Sequence, residues 1–402
     1  MIGTEPSLHV AIACGGTGGH LFPGLTVGHE LGARGCDVSL LISPKEVDQQ
    51  AVRGVAHSFN LITLPAVGLT GRNALKFADS SYQSYRAACR EFAQRRPQAV
   101  LAMGGFTSAP PILAGARVGA TTFLHESNTI PGRANRWLAH VVDECFVGFE
   151  DAASLLWNPQ VATTGTPVRP GFTHTEAAGA RLALGLHPAK PVLLVMGGSQ
   201  GATGINQLLL NTLPTLLEKL PDLQVMHLTG VPDHERVRTA LAPFGRRVRV
   251  QAFFSEMELL LAAATVAVSR SGASSLAEFA ALRLPSVLIP YPAAVDDHQQ
   301  HNADAFAAHG AARVLAQPTA TPAQLVALIL ELAGDGPART RALQSLADLD
   351  RPKAASDIAD RILRRLELKQ PGSTRRLATV LEPTRRPRTT PAAKLQLEGA
   401  AR

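Results

Sequence analysis

Short runs that are apolar at nearly every position alternate with longer amphipathic stretches along most of the chain. In the first half the short runs are 8–14, 37–43, 58–63, 99–103, 121–125 and 144–147. Stretches with helical spacing lie between them, among them 21–34, 73–95 and 130–140. The second half repeats the theme, with apolar runs at 191–196, 224–229, 247–253, 266–269 and 286–289. A strand that is apolar throughout, rather than at every second position, belongs to a parallel sheet covered on both faces. Strand–helix alternation of this kind predicts an α/β fold.

Both halves open with the same device. Gly15-Gly16-Thr17-Gly18-Gly19-His20 follows the first apolar run, and Gly197-Gly198-Ser199-Gln200-Gly201-Ala202 follows the first run of the second half. The two loops start 182 residues apart, about one doubly wound domain. The expected organisation is two Rossmann-like domains, 1–168 and 169–352, joined near Thr164-Gly165-Thr166-Pro167-Val168-Arg169-Pro170, with a ligand in the cleft between their sheets. A helix at 353–369 is expected to pack back on the first domain. A tail at 370–402, rich in Pro, Thr and Arg, reads as disordered.

Charge narrows the function. The net +7 is concentrated in that tail, which holds seven basic and two acidic side chains and leaves the other 369 residues at +2. A basic face for nucleic acid is therefore excluded. The four cysteines (Cys14, Cys36, Cys89, Cys145) have neither zinc nor disulfide-framework spacing and fit free thiols in a reducing compartment. No Lys or Arg precedes Arg34, which argues against a secretory leader. The longest apolar stretch, 259–268, is about half a membrane span. These features predict a cytoplasmic protein that can still touch a membrane surface.

A glycine loop between strand and helix offers backbone N–H groups and the positive end of the helix to an anion. A tight turn accounts for one such loop equally well; two in tandem favour phosphate sites. Neither following strand ends in the carboxylate that a nicotinamide dinucleotide requires, so that cofactor is disfavoured. Ser271-Gly272-Ala273-Ser274 reads as a further helix start with capping hydroxyls, and Glu278 follows one turn after Ser274, where it can hold a ribose or simply face solvent. The polar cluster from Asp296 to Asn302 suits the reading of sugar hydroxyls, or a polar helix start. His125-Glu126-Ser127-Asn128 ends a strand at the expected cleft. His20 either caps its helix or acts as a general base. Asp348-Leu349-Asp350 reads as a solvated helix end, not a metal site.

Together these segments resemble the MurG family of N-acetylglucosamine transferases of peptidoglycan synthesis. The likeness spans roughly 8–365 and includes Gly15 to Pro23, His125 to Arg136, Gly165 to Arg169, Gly197 to Gly201, Ser269 to Ala273 and Asp297 to Gln300. It implies a GT-B architecture, UDP-N-acetylglucosamine as donor and an undecaprenyl-linked acceptor at the cytoplasmic face of the membrane. Contacts with other cell-wall or division proteins are further implied, and neither a cofactor nor a metal is. The resemblance assigns the donor to Arg169, Ser199, Gln200, Phe254, Arg270, Ala273, Glu278, Gln299, Gln300 and Asn128. Thr17, Gly18 and Gly19 count among the donor contacts and, with Gly16, hold the acceptor diphosphate. His20 is the favoured base, with Glu126 and His125 behind it. Leu69, Arg72, Leu75, Lys76 and Phe77 form the expected membrane patch. Ser127 stands where the family usually has Gln, and Phe106 where Tyr is common. Another UDP-sugar transferase, or a UDP-N-acetylglucosamine 2-epimerase, is the alternative.

Overall fold

The computed structural model describes residues 7–52, 58–65, 74–105, 107–172, 175–198 and 200–369. Leu69, Arg72, Phe106, Ser199 and the tail at 370–402 lie outside the described residues. The first lobe runs β1 His9–Ala13, α1 Gly18–Ala33, β2 Asp37–Ile42, α2 Glu46–Val52, β3 Asn60–Thr63 and α3 Ala74–Gln94. It continues with β4 Ala99–Ala102, α4 Ala109–Arg117, β5 Thr121–Glu126, α5 Arg133–Leu138, β6 Glu144–Val147 and β7 Val161–Thr163.

The second lobe begins with α6 Ala177–Ala183, β8 Val192–Met196, α7 Thr203–Lys219, β9 Gln224–Leu228, α8 His234–Leu241 and β10 Val248–Gln251. Next come α9 Met257–Ala263, β11 Val266–Ser269, α10 Ala273–Ala281, β12 Ser286–Leu288, α11 His298–Ala308 and β13 Ala312–Val314. Three helices close the described chain: α12 Pro322–Ala333, α13 Pro337–Leu349 and α14 Ala354–Lys369.

The sheets have orders β3-β2-β1-β4-β5-β6-β7 and β10-β9-β8-β11-β12-β13, with every pairing parallel. This is the doubly wound α/β class that the apolar runs predict. The order reverses between β1 and β4 and again between β8 and β11. Helices leave opposite faces at such a point and open a crevice at the strands' carboxyl ends. Both glycine loops stand there, as do Gly104-Gly105 after β4 and Arg270-Ser271-Gly272 after β11. Edge strands β7 and β13 escaped the hydrophobic pattern, because three residues at a sheet margin make no apolar run. The helix expected over 130–140 is shorter, beginning only after Pro131-Gly132.

The chain passes to the second lobe near Gly165 and returns near Arg351. Gly165 has φ +84, and a Cβ there would collide with the Arg351 side chain, so the two crossings lie in contact. Beyond the second crossing, α14 lays Ile358, Ile362, Leu363 and Leu366 into the core shared by α1, β1 and β2. Arg34 donates to Asp360 and Ser356, and Arg361 to Glu144, so the last helix belongs physically to the first lobe. Among the described residues, no helix is long and apolar enough to cross a membrane.

The fully buried Ile362 lies on this tether. Ile362→Ala is expected to destabilise the first lobe by roughly 2–5 kcal/mol. Urea titration should show the loss as a lowered midpoint with the slope preserved; an unchanged midpoint would mean that α14 adds nothing to the fold.

Candidate functional site

The cleft is built around two helix starts. The first four N–H groups of any helix lack intrahelical partners, and the helix dipole places positive potential there. Helix α1 begins at Gly18 and α10 at Ala273, and Ser274 Oγ donates to the Gly19 carbonyl across the cleft at 3.0 Å. That contact corrects the expected role of the serines as caps: Gly272 is the N-cap, and Ser271 Oγ donates to the Gln299 carbonyl instead. Both hydroxyls hold elements together, and the amides of α10 are left for a ligand.

The first glycine loop is anchored from beneath. Buried Asp48 accepts the Gly16 amide at 2.7 Å and the Ser43 amide at 3.1 Å, while Lys45 Nζ donates to the Gly16 carbonyl. The Gly16 amide is therefore spent and does not face an anion as expected. Thr17 is exposed, and Gly18 and Gly19 are partly so. Asp48 was missed because nothing in its helical surroundings marks it as a loop anchor.

His20 rests on Gly104-Gly105, whose φ values of +102 and +80 keep the backbone flat under the ring. A Cβ on Gly105 would lie 2.7 Å from His20 Cε1. His20 Nδ1 meets Thr17 Oγ1 at 3.1 Å, and Nε2 has no hydrogen-bond partner among the described residues. Burial lowers its pKa to about 4, opposed by Asp48 and assisted by Lys45. The ring is neutral at physiological pH.

Behind it, the two residues expected as reserve bases are both engaged by the protein. Glu126 is 3% exposed, and its carboxylate accepts four hydrogen bonds: from Asn128 N–H and Nδ2, from the Gly132 N–H, and from Asn135 Nδ2. No lone pair is left aimed at a substrate. His125 is fully buried, with Nε2 on the Gly165 carbonyl at 3.0 Å and Nδ1 facing Ser127 Oγ at 3.4 Å. Its pKa is also lowered to about 4 by burial. Both residues shape the loop after β5.

Asn128 is likewise occupied at both ends, with Nδ2 on Glu126 and Oδ1 accepting from Asn302 Nδ2. One amide hydrogen and one lone pair remain for the sugar hydroxyl that it was expected to read. Asn302 was inside the polar cluster but went unremarked; it faces inward with Ala303 and Phe306, and an amide on the buried face of a helix was the available signal.

On the second lobe, Gly198 and Gly201 shape the other glycine turn, closed by the Gly201 amide on the Gly198 carbonyl, with Gln200 exposed at its tip. Arg270 was expected beside a diphosphate. Its Nη1 instead donates to the carbonyls of Ile289 and Pro290, and its Nη2 to Gln317 Oε1. It braces the loop after β12, with two of its five N–H donors uncommitted among the described residues. Gln299 Oε1 accepts the Tyr291 amide, so its Nε2 is the end left for a ligand among the described residues. Gln300 turns along its own helix to Asp304. Phe254 packs on the second-lobe core, while Phe253 beside it is exposed.

Glu278 stands farther along α10. Burial raises its pKa to about 7, opposed by Arg169 and reinforced by Glu258. Arg169, on the first crossing, lies between Phe22 and Phe172, 4.3 and 4.8 Å from their ring centroids, and 3.9 Å from Glu258. Its Nε is buried without a hydrogen bond among the described residues. This places a poised carboxyl and a partly spent guanidinium beside the α10 start. Of the expected membrane patch, Leu75 and Lys76 are exposed on α3 and Phe77 is partly so.

Two family models match the chain, the glycosyltransferase family 28 N-terminal domain over residues 10–147 and the C-terminal domain over 192–362. A relative from Pelobacter propionicus is 36% identical over 376 residues, covering 89% of this chain and 99% of its own length. One from Mesorhizobium japonicum is 36% identical over 362 residues, covering 87% and 93%. Both are named UDP-N-acetylglucosamine--N-acetylmuramyl-(pentapeptide) pyrophosphoryl-undecaprenol N-acetylglucosamine transferase. The crystal structure of Acinetobacter baumannii MurG superposes with a TM-score of 0.68 at 26% identity, over 89% of this chain and 99% of that one. A UDP-N-acetylglucosamine 2-epimerase structure from Listeria monocytogenes reaches 0.70 at 15% identity, over 90% and 98%, a likeness of fold alone.

If Glu126 organises its loop, Glu126→Gln turns an NH₂ group toward two of its donors. The expected cost is roughly 1.5–3 kcal/mol of stability, measured as a lowered denaturation midpoint. An unaltered midpoint would return the carboxylate to the possible bases.

Proposed function

The chain belongs to the MurG family of glycosyltransferase family 28, and from that premise we propose that it transfers N-acetylglucosamine from UDP-N-acetylglucosamine to an undecaprenyl-diphosphate-linked muramyl pentapeptide, forming lipid II for peptidoglycan. The observation that carries this reading is the contact of α1 and α10 across the cleft, which sets two anion-binding helix starts face to face with His20 at their junction. A transferase joining two diphosphate-bearing substrates needs such a pair.

In the proposed mechanism the donor lies on the second lobe. Glu278 accepts hydrogen bonds from the ribose hydroxyls, the backbone near Phe254 meets uracil, and Arg169, the glycine turn at Gln200 and the amides at the α10 start hold the diphosphate. The amide of Ala273 and Gln299 Nε2 contact the sugar. The acceptor diphosphate sits at the amides of Gly18 and Gly19, beside Thr17. Its muramyl 4-hydroxyl attacks the anomeric carbon as the C–O bond to UDP breaks on the opposite face, which inverts the configuration. Negative charge then grows on UDP, and helix-start amides already aimed at it stabilise the transition state without reorganising.

His20 takes the hydroxyl proton at Nε2. That requires the tautomer in which Nδ1–H donates to Thr17 Oγ1 and Nε2 keeps its lone pair. The free imidazole is a weak base because burial disfavours its cation. Two diphosphates at its side favour that cation and strengthen the base only in the loaded cleft. No step in this scheme calls on a metal. Leu75, Lys76 and Phe77 on α3 are the proposed contact with the cytoplasmic membrane surface that presents the acceptor.

Radiolabelled UDP-N-acetylglucosamine supplied with undecaprenyl-diphosphate-muramyl-pentapeptide should yield a labelled lipid. His20→Ala is expected to lower kcat by roughly 10²–10⁴-fold with little change in donor KM. Conversion of the nucleotide sugar without acceptor would instead reveal an epimerase.

The Glu278 carboxylate forms as pH rises through about 7, so donor KM is expected to fall between pH 6 and 8. Glu278→Gln should abolish that slope and raise KM roughly 10–100-fold, the worth of charge-assisted hydrogen bonds. A variant that keeps the wild-type pH profile would remove Glu278 from the donor site.

A further inference from the structure

We propose that Asn302 is a positioning residue that locks the lobes together, coupling the loop after β5 to the start of α10 so that the two substrates are aligned only while the lock is made. Its catalytic consequence rests on the transferase reading above; the lock itself does not.

Asn302 lies on α11 and is fully buried. Its Oδ1 accepts from both the N–H and the hydroxyl of Thr129, each at 3.0 Å. Its Nδ2 donates to Asn128 Oδ1 at 3.0 Å and to the Ser271 carbonyl at 3.1 Å. Both lone pairs and both amide hydrogens are therefore used. Asn128 and Thr129 belong to the first lobe, whereas Ser271 precedes the α10 start in the second. One carboxamide thus spans the cleft.

The chain of bonds continues on either side. Asn128 Nδ2 reaches Glu126, the carboxylate that shapes the β5 loop, and Ser271 Oγ reaches the carbonyl of Gln299. A shift of the first lobe is thereby felt at the helix start that faces the donor diphosphate. No other side chain of this size does the same. A carboxylate would set an oxygen against the oxygens of Asn128 and Ser271, and an apolar group would leave the Thr129 amide dry and unpaired. When the lobes separate, water can replace each lost bond, so the net cost of opening is small. That suits an enzyme whose cleft must open to exchange substrates. The Arg133 and Arg136 pairs with Asp296 also cross the cleft, but they are exposed and screened by salt.

The test uses the full-length protein with Asn302→Ala and Asn302→Asp, and with Thr129→Val as a milder change that removes one bond. Small-angle scattering of each should show a wider separation of lobes than the wild type, with Thr129→Val intermediate. Calorimetry should find UDP affinity within about threefold of wild type, since the proposed uridine contacts lie in the second lobe. The kcat is expected to fall roughly 10–100-fold. Asn302→Ala combined with Asn128→Ala should be no slower than the worse single variant, because both break one connection.

Unchanged scattering in all three variants would overturn the lock. UDP affinity falling in parallel with kcat would reduce Asn302 to a local prop of the donor loop and equally overturn the proposal. Absence of transfer by the wild-type chain would sink the transferase reading alone, with scattering still deciding the lock.

Discussion

The cleft depends on one electrostatic constraint: amides at a helix start have no partner within the helix and must find one outside it. In each lobe the sheet reverses its strand order beside such a start, and the two starts meet where Ser274 reaches the Gly19 carbonyl. Glycines let backbone approach a ligand there, and Asp48, Gly104 and Gly105 fix the loops from behind. Backbone dipoles fixed in this way need no reorganisation when charge develops beside them.

Around this centre, polar side chains divide into those turned toward the cleft and those consumed by the protein. Glu126, His125, Asn128 and Arg270 look like catalytic or binding groups by residue type, yet their hydrogen-bonding capacity is largely taken up internally. Such satisfied networks are what burial demands. They give the loop after β5 and the loop after β12 one defined shape. His20 Nε2, Gln299 Nε2 and the Glu278 carboxyl retain the freedom to act.

The lobes are two bodies by topology, held together by the Ser274–Gly19 contact, the Asp296 ion pairs and three further links. The crossings at Gly165 and Arg351 touch, α14 returns to the first lobe's core, and the Asn302 carboxamide closes the far side of the cleft. His125 joins the first of these to the site, since its ring bonds the Gly165 carbonyl while its neighbour Glu126 holds the β5 loop. The crossing at Gly165 and the loop after β5 are thus joined through one hydrogen bond and the neighbouring residues His125 and Glu126.

Largely apolar runs disclosed nearly all the strands, because a strand covered on both faces carries few polar positions to obscure it. Only β7 and β13 were hidden, being too short and too marginal to leave a pattern. The glycine loops, and the placing of His20 and Glu278 on the helices that follow such turns, were legible through spacing, since a βα turn and one helical turn are local geometry. What the linear order could not disclose was which hydrogen bonds each polar group had already made. Glu126 meets Asn135, Asn128 meets Asn302 and Arg270 meets Gln317 only after folding brings distant segments together. Local chemistry named the groups able to react; tertiary contacts decided which remained free to do so, because a lone pair or proton already bonded inside the protein is withdrawn from the substrate.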